Sequence, residues 1–198
     1  MTSAAMTLSP SLSSRLRASA VSASELASHL DSLDEAGRVR EIRTLTGRDL
    51  KALWKACADA GPLSLDEFMP QLPDGQTVIY AGRNSLPLFS DFEKRFARQG
   101  GAVIGYNEGP TRGLVGPGYF TVLAAENKPK ELLFDYERVP ATAPAGWPAV
   151  KPNDRGVSTL VFGHLHDFCR RVATGVVIGI GTRRGKEMNA FFALARAV

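Results

Sequence analysis

The sequence predicts an α+β chain: an N-terminal helical segment followed by a curved or closed antiparallel β-sheet of barrel-like form. Three observations lead there. Leu50, Leu53, Trp54 and Cys57 fall at i, i+3, i+4 and i+7, the spacing of one helix face. In Glu131–Glu137, Leu132, Phe134 and Tyr136 alternate with Leu133, Asp135 and Glu137, as in a strand with one buried face. Glycine is unevenly spread: five of the 19 lie in residues 1–99 and fourteen in 100–198. That excess fits short strands that bend and turn often.

The elements follow in order. Residues 1–22 read as a disordered tail, Ser/Ala-rich and without an acidic residue. Residues 23–74 read as a helical segment. Ser24 is the expected N-cap for a helix carrying Leu26, Leu30 and Leu33, and Val39, Ile42 and Leu45 continue the apolar stripe. Thr46 opens the next helix, Gly61-Pro62 stops it, and Leu65–Met69 forms a turn. From residue 75 to 198 an antiparallel, barrel-like domain is expected, with one or two helices. Thr77–Tyr80 is its first strand, and Leu86–Arg98 reads as a helix, with Phe89, Phe92 and Phe96 along it. Further strands are expected at Ala102–Tyr106, Tyr119–Ala125, Glu131–Glu137, Val157–Phe162, Val176–Ile180 and Ala190–Arg196. Pro140–Asp154 is a Pro-rich crossing loop anchored by Trp147, and Thr182–Met188 a basic hairpin turn.

Composition removes several classes. The chain has 198 residues, 44% of them hydrophobic and 22% charged, which excludes collagen, coiled coil and wholesale disorder. No apolar run reaches the ~20 residues of a membrane span. Residues 1–99 carry 12 basic and 12 acidic side chains, so the formal charge of +4 belongs to the second half. Its densest basic group is Arg183, Arg184 and Lys186, without interleaved aromatics, and nucleic acid is not the expected partner. Cys57 and Cys169 are read as two buried thiols of a reducing, cytoplasmic protein.

Candidate chemistry centres on Gly163-His164-Leu165-His166-Asp167. It resembles the last metal-binding motif of calcineurin-like metallophosphoesterases, whose other motifs do not occur here, so a two-metal centre is excluded. If residues 164–168 are extended, His164 and His166 share a face and can chelate one ion with Asp135. If they are helical, Leu165, Phe168, Cys169 and Val172 form the buried stripe and the two imidazoles diverge by about 200°. The helical reading is favoured. Cys169 with a histidine base is a further nucleophile candidate, weighed against an inert buried thiol. Gly179–Glu187 is not a P-loop, because Ile180 and Glu187 stand where glycine and Ser/Thr are required, and it does not complete Gly-x-Gly-x-x-Gly, because residue 184 is Arg184. Arg83, Asn84, Tyr106, Asn107, Arg112 and Tyr119 lie at strand ends or beside glycines, where a closed sheet would bring them to one mouth as ligand-binding residues.

Gly82-Arg-Asn-Ser-Leu-Pro87, Phe92-Glu-Lys-Arg-Phe96, Gly105-Tyr-Asn107 and Gly116-Pro-Gly-Tyr-Phe120 resemble sequences of uncharacterised bacterial proteins over residues 77–198, a resemblance that implies no activity. More distantly, the strand-rich half resembles calycin-type barrels, which implies a lumen for a hydrophobic ligand or for haem held by His164 or His166. The Gly-x-Trp-x-Gly word of that group has no counterpart here, since Trp54 and Trp147 lie elsewhere.

The leading expectation is therefore a soluble binding protein for a small, mostly apolar molecule, with any anionic end met by Arg83 or Arg112. An enzyme using His164, His166 and Asp167 as acid/base or single-metal residues is the second reading. The third is an interaction module whose helices dock on a partner or a second copy.

Overall fold

The computed structural model describes residues 9–18, 21–86 and 90–197. Eight antiparallel strands close into a barrel in sequence order, the last returning to the first. They are β1 (Val78–Asn84), β2 (Asp91–Gln99), β3 (Ala102–Glu108), β4 (Phe120–Ala124), β5 (Leu132–Asp135), β6 (Leu165–Ala173), β7 (Val176–Arg183) and β8 (Lys186–Arg196). Among the described residues five α-helices and a 3-10 turn (Cys57–Asp59) precede them: α1 (Leu12–Arg17), α2 (Ala23–Asp31), α3 (Glu35–Arg43), α4 (Gly47–Ala56) and the four-residue α5 (Leu65–Phe68). Two more, α6 (Arg112–Val115) and α7 (Gly156–Phe162), interrupt the strand series. No helix among the described residues is long and apolar enough to cross a membrane.

Each strand divides its side chains between lumen and outside. On β7, Val177, Gly179 and Gly181 face the lumen, while Val176, Ile178 and Ile180 join Phe191, Ala193 and Ala195 of β8 beneath the helices. Both faces of this sector are buried, which is why β7 reads as a nearly continuous apolar run. Leu26, Leu30, Ile42, Leu50 and Leu53 supply the covering apolar stripe. Reciprocal capping boxes start α2 and α4, with Ser22 paired to Glu25 and Thr46 to Asp49. The N-cap of α2 is thus Ser22 rather than Ser24, because the glutamate three residues on answers it. Helix α1 falls within the segment expected to be a solvated tail, yet Leu12 and Leu16 are buried in the helical core. The rest of that expectation, at residues 1–8 and 19–20, lies outside the described residues.

Glycine has a packing role in the lumen. Gly82, Gly105 and Gly179 sit in cross-strand register with Phe92, Phe120 and Phe192. A Cβ on Gly179 would stand 2.3 Å from the Phe192 ring, and one on Gly105 would stand 2.7 Å from Phe120. Each ring fills the space its partner leaves, which tightens the barrel around a layer of aromatics.

Three local expectations are corrected. Residues 91–98 of the expected Leu86–Arg98 helix belong to β2, while 87–89 lie outside the described residues. Phe92 and Phe96 both face the lumen there, and their spacing serves a strand as well as a helix. Val157–Phe162 is helical rather than extended: Phe162 turns inward and stacks on Tyr136 at 5.6 Å. Residues 165–173 form β6 rather than the favoured helix, paired on both sides by β5 and β7. The basic hairpin turn stands between β7 and β8 at Arg183–Lys186.

Candidate functional site

One end of the barrel is plugged. Phe68 of α5 enters the lumen and packs on Tyr80, Phe96 and Phe134 with ring centroids 4.9–5.5 Å apart. Its carbonyl accepts the Tyr80 hydroxyl at 2.6 Å.

The other end holds a cavity of about 500 Å³. Phe92, Phe162, Phe192, Leu165 and Val115 give it an apolar wall, and α6 and α7 stand at its rim. All six large apolar side chains that are exposed among the described residues belong to this end. Leu86, Leu160, Val161 and Met188 line the opening, and Leu114 and Val157 lie on α6 and α7. An apolar rim around an apolar opening is the usual mark of a binding surface.

Four polar residues from four strands or strand ends meet at the cavity floor. The Lys94 ammonium of β2 is buried inside the barrel and donates to Asn107 Oδ1 at 2.8 Å, to the Tyr136 hydroxyl, and to Asp167 Oδ2 at 3.2 Å. Tyr136 donates in turn to Asp167 Oδ2 at 3.2 Å. Asn107 Nδ2 donates to the Gly118 carbonyl at 3.0 Å and to the Tyr136 hydroxyl at 3.2 Å. The rings of Phe120, Phe134 and Phe192 lie 4.8–5.7 Å from the ammonium and favour its charge. Burial pulls the Lys94 ammonium below its ordinary value and pushes the Asp167 carboxyl above its own, while each partner's charge opposes the shift. Tyr136 is held well above the usual phenol value, chiefly by burial and then by the Asp167 charge.

The residues expected at a mouth separate into two sets. Asn84, Asn107 and Arg112 line the cavity, although Arg112 is already paired with Glu108 at 2.7 Å. Arg83 lies on the outer face, donating to the Leu45 carbonyl and to Asp91. Tyr106 and Tyr119 also face outward, where Trp147 of the crossing loop packs on them at 4.8 and 6.3 Å. Strand ends place a residue near a rim, but the parity of the strand decides which face it takes, and Arg83, Tyr106 and Tyr119 have outward parity.

Asp167 likewise separates from the two histidines. It faces the lumen in register with Phe134, whereas His166 points outward in register with Asp135. His166 Nε2 lies 3.3 Å from Asp135 and 3.4 Å from Glu137, and His164 Nδ1 lies 2.8 Å from Glu137. Asp135, Glu137 and His166 present ligand atoms within 4.8 Å of one another on that outer face. Asp135 is however bound by Arg138 and by the backbone N–H groups of Glu137 and Arg138, a local ion-pair cluster sufficient in itself. The histidines therefore do not fit haem in the lumen, the third histidine, His29, belonging to the helical layer against Glu41. Cys169 is fully buried in the lumen, where desolvation holds its thiol well above the ordinary value, an inert setting.

Lys94 and Tyr136 are the site residues that sequence reasoning missed. The pattern Phe92-x-Lys94-x-Phe96 contains the signal for the lysine, since in a strand it shares a face with two phenylalanines.

Comparison of the chain with family models, curated proteins and solved structures finds no match. The closed eight-stranded antiparallel barrel agrees with a calycin-like architecture.

Proposed function

We propose that the protein binds a small, mostly apolar molecule in the open end of its barrel. The observation that carries this reading is the cavity of about 500 Å³, walled by aromatic side chains and floored by the Lys94–Asp167–Tyr136–Asn107 network. Ligand sites commonly combine an apolar enclosure with a few convergent polar groups that fix orientation. The exposed apolar rim supports entry from this end. Arg83 takes no part, and Arg112 stands at the opening with its charge answered by Glu108.

The test is titration with N-phenyl-1-naphthylamine, a neutral fluorophore that brightens in apolar surroundings, alongside native mass spectrometry of the purified protein. Saturable brightening, abolished by filling the opening through Ala190→Trp, is the expected result. Absence of brightening together with absence of a co-purified small molecule would overturn the reading.

A further inference from the structure

Among the described residues, one carboxylate oxygen of the cavity floor, Asp167 Oδ1, has no donor, and its chemistry selects the ligand. Resting on the binding reading above, we infer that the buried end of the ligand is an uncharged hydrogen-bond donor, a hydroxyl or heterocyclic N–H, received by Asp167 Oδ1.

The inventory of donors and acceptors leads there. An ammonium has three hydrogens, and Lys94 has three acceptors in Asn107, Tyr136 and Asp167. Both hydrogens of the Asn107 amide are used, on Gly118 and on Tyr136. The Tyr136 hydroxyl accepts from Lys94 and Asn107 and has one hydrogen to donate, to Asp167 Oδ2 at 3.2 Å or to Asn107 Oδ1 at 3.3 Å. Asp167 Oδ2 thus receives Lys94 and lies within reach of Tyr136, while nothing among the described residues donates to Oδ1. That oxygen is not sealed in the core either. The buried side-chain atoms without a partner among the described residues are Glu131 Oε2 and Arg183 Nε.

Its position is set by a glycine. Asp167 and Gly181 are register partners and both line the cavity. A Cβ at Gly181 would lie 3.6 Å from Oδ1, so the missing side chain leaves the approach to that oxygen open.

Charge narrows the choice further. Lys94 and Asp167 cancel, so the floor is neutral overall. A carboxylate there would meet an open carboxylate oxygen with no spare donor to receive it. It could take a hydrogen from Lys94 only by leaving Asn107, Tyr136 or Asp167 unsatisfied in a buried site. An ammonium would add a second cation beside Lys94. A neutral O–H or N–H completes the network at no such cost, and a donor bonded to an ionised acceptor is among the stronger hydrogen bonds.

The test is calorimetric titration of the full chain with three ligands of matched shape: 2-naphthol, 2-methoxynaphthalene and naphthalene-2-carboxylate. Naphthol is expected to bind about tenfold or more tightly than the ether, which lacks only the donated hydrogen, and the carboxylate weakest of the three. Gly181→Ala is the companion variant. Its methyl makes ordinary contacts of 3.6–3.8 Å with Asp167, Ala190 and Leu165, so the chain should fold, while the route to Oδ1 is obstructed. In that variant the preference for naphthol over the ether should collapse. Equal binding of naphthol and ether, a carboxylate as tight as naphthol, or an undiminished preference in Gly181→Ala would overturn the inference while leaving the binding reading in place. Failure of all three ligands to bind would overturn the inference, and the binding reading falls with it only if N-phenyl-1-naphthylamine also fails to brighten and no small molecule co-purifies.

Discussion

At one end of the barrel α5 inserts Phe68, and at the other α7 inserts Phe162. Both helices are short, and both present a single ring to the lumen. Phe68 meets three aromatic partners and closes its end, with Met69 and Leu63 buried beside it. Among the described residues Phe162 stacks on the Tyr136 ring alone, and it leaves about 500 Å³ open next to it. The same device therefore serves stability at one end and access at the other, and what differs is how many rings stand ready to receive it. The buried Lys94 network belongs to the second end, where Lys94, Asn107, Tyr136 and Asp167 all line the cavity.

The largest effects should separate these ends. Phe68→Ala should cost about 3–5 kcal/mol in denaturant unfolding, and Phe162→Ala about 1–2 kcal/mol, since a void already adjoins it. Equal costs would show that both rings are structural plugs. Lys94→Met alone should cost about 3–5 kcal/mol, because it strands the Asp167 charge in the lumen. The double variant Lys94→Met with Asp167→Leu should recover most of that loss. If it does not, the network is needed for folding as well as for the site.

Smaller effects refine the picture. Gly179→Ala forces a methyl against the Phe192 ring and should cost about 1–3 kcal/mol by overpacking, measured in the same unfolding assay. Asp49 in the helical layer should show the opposite pH response to Asp167. Burial alone would raise its carboxyl, but the Thr46 N–H, Arg17, and the hydroxyls of Thr46 and Ser13 together hold it below its ordinary value. A lowered folded value stabilises above the unfolded pKa and is lost as pH falls through the folded one. Asp49→Asn should therefore cost about 1 kcal/mol at neutral pH, and progressively less as the solution is acidified below about pH 4. The raised carboxyl of Asp167 opposes folding when ionised, a penalty relieved on acidification. Leu160→Ser on the rim should change stability by less than about 0.5 kcal/mol, which separates an access surface from a core.

Much of the architecture was legible in the sequence because alternation and glycine punctuation are local signals. Leu132, Phe134 and Tyr136 face the lumen as their alternation indicates, and the glycine excess reflects the barrel's turns and its Gly–Phe pairs. Strand β2 was not legible because phenylalanines four apart satisfy both periods, and only the partner strands decide between them. The site was legible in part. Asn107 and Asp167 were named, but for different sites, and Lys94 sits within Glu-Lys-Arg, which reads as a solvated charge run. Its burial depends on acceptors from three other parts of the chain, and no local pattern announces a contact of that kind.

The closure of the barrel has a consequence for synthesis. Strand β1 leaves the ribosome about a hundred residues before β8, its partner on one side. The outer faces of β7 and β8 are also those on which the helical layer rests. Until β8 is made, β1 and β7 remain unpaired edges and the early helices lack much of the surface they cover. Nascent chains are thus exposed to edge-to-edge association for most of their translation. Slow translation or high expression should reveal that hazard as aggregation of incomplete chains, even where the finished protein is well behaved.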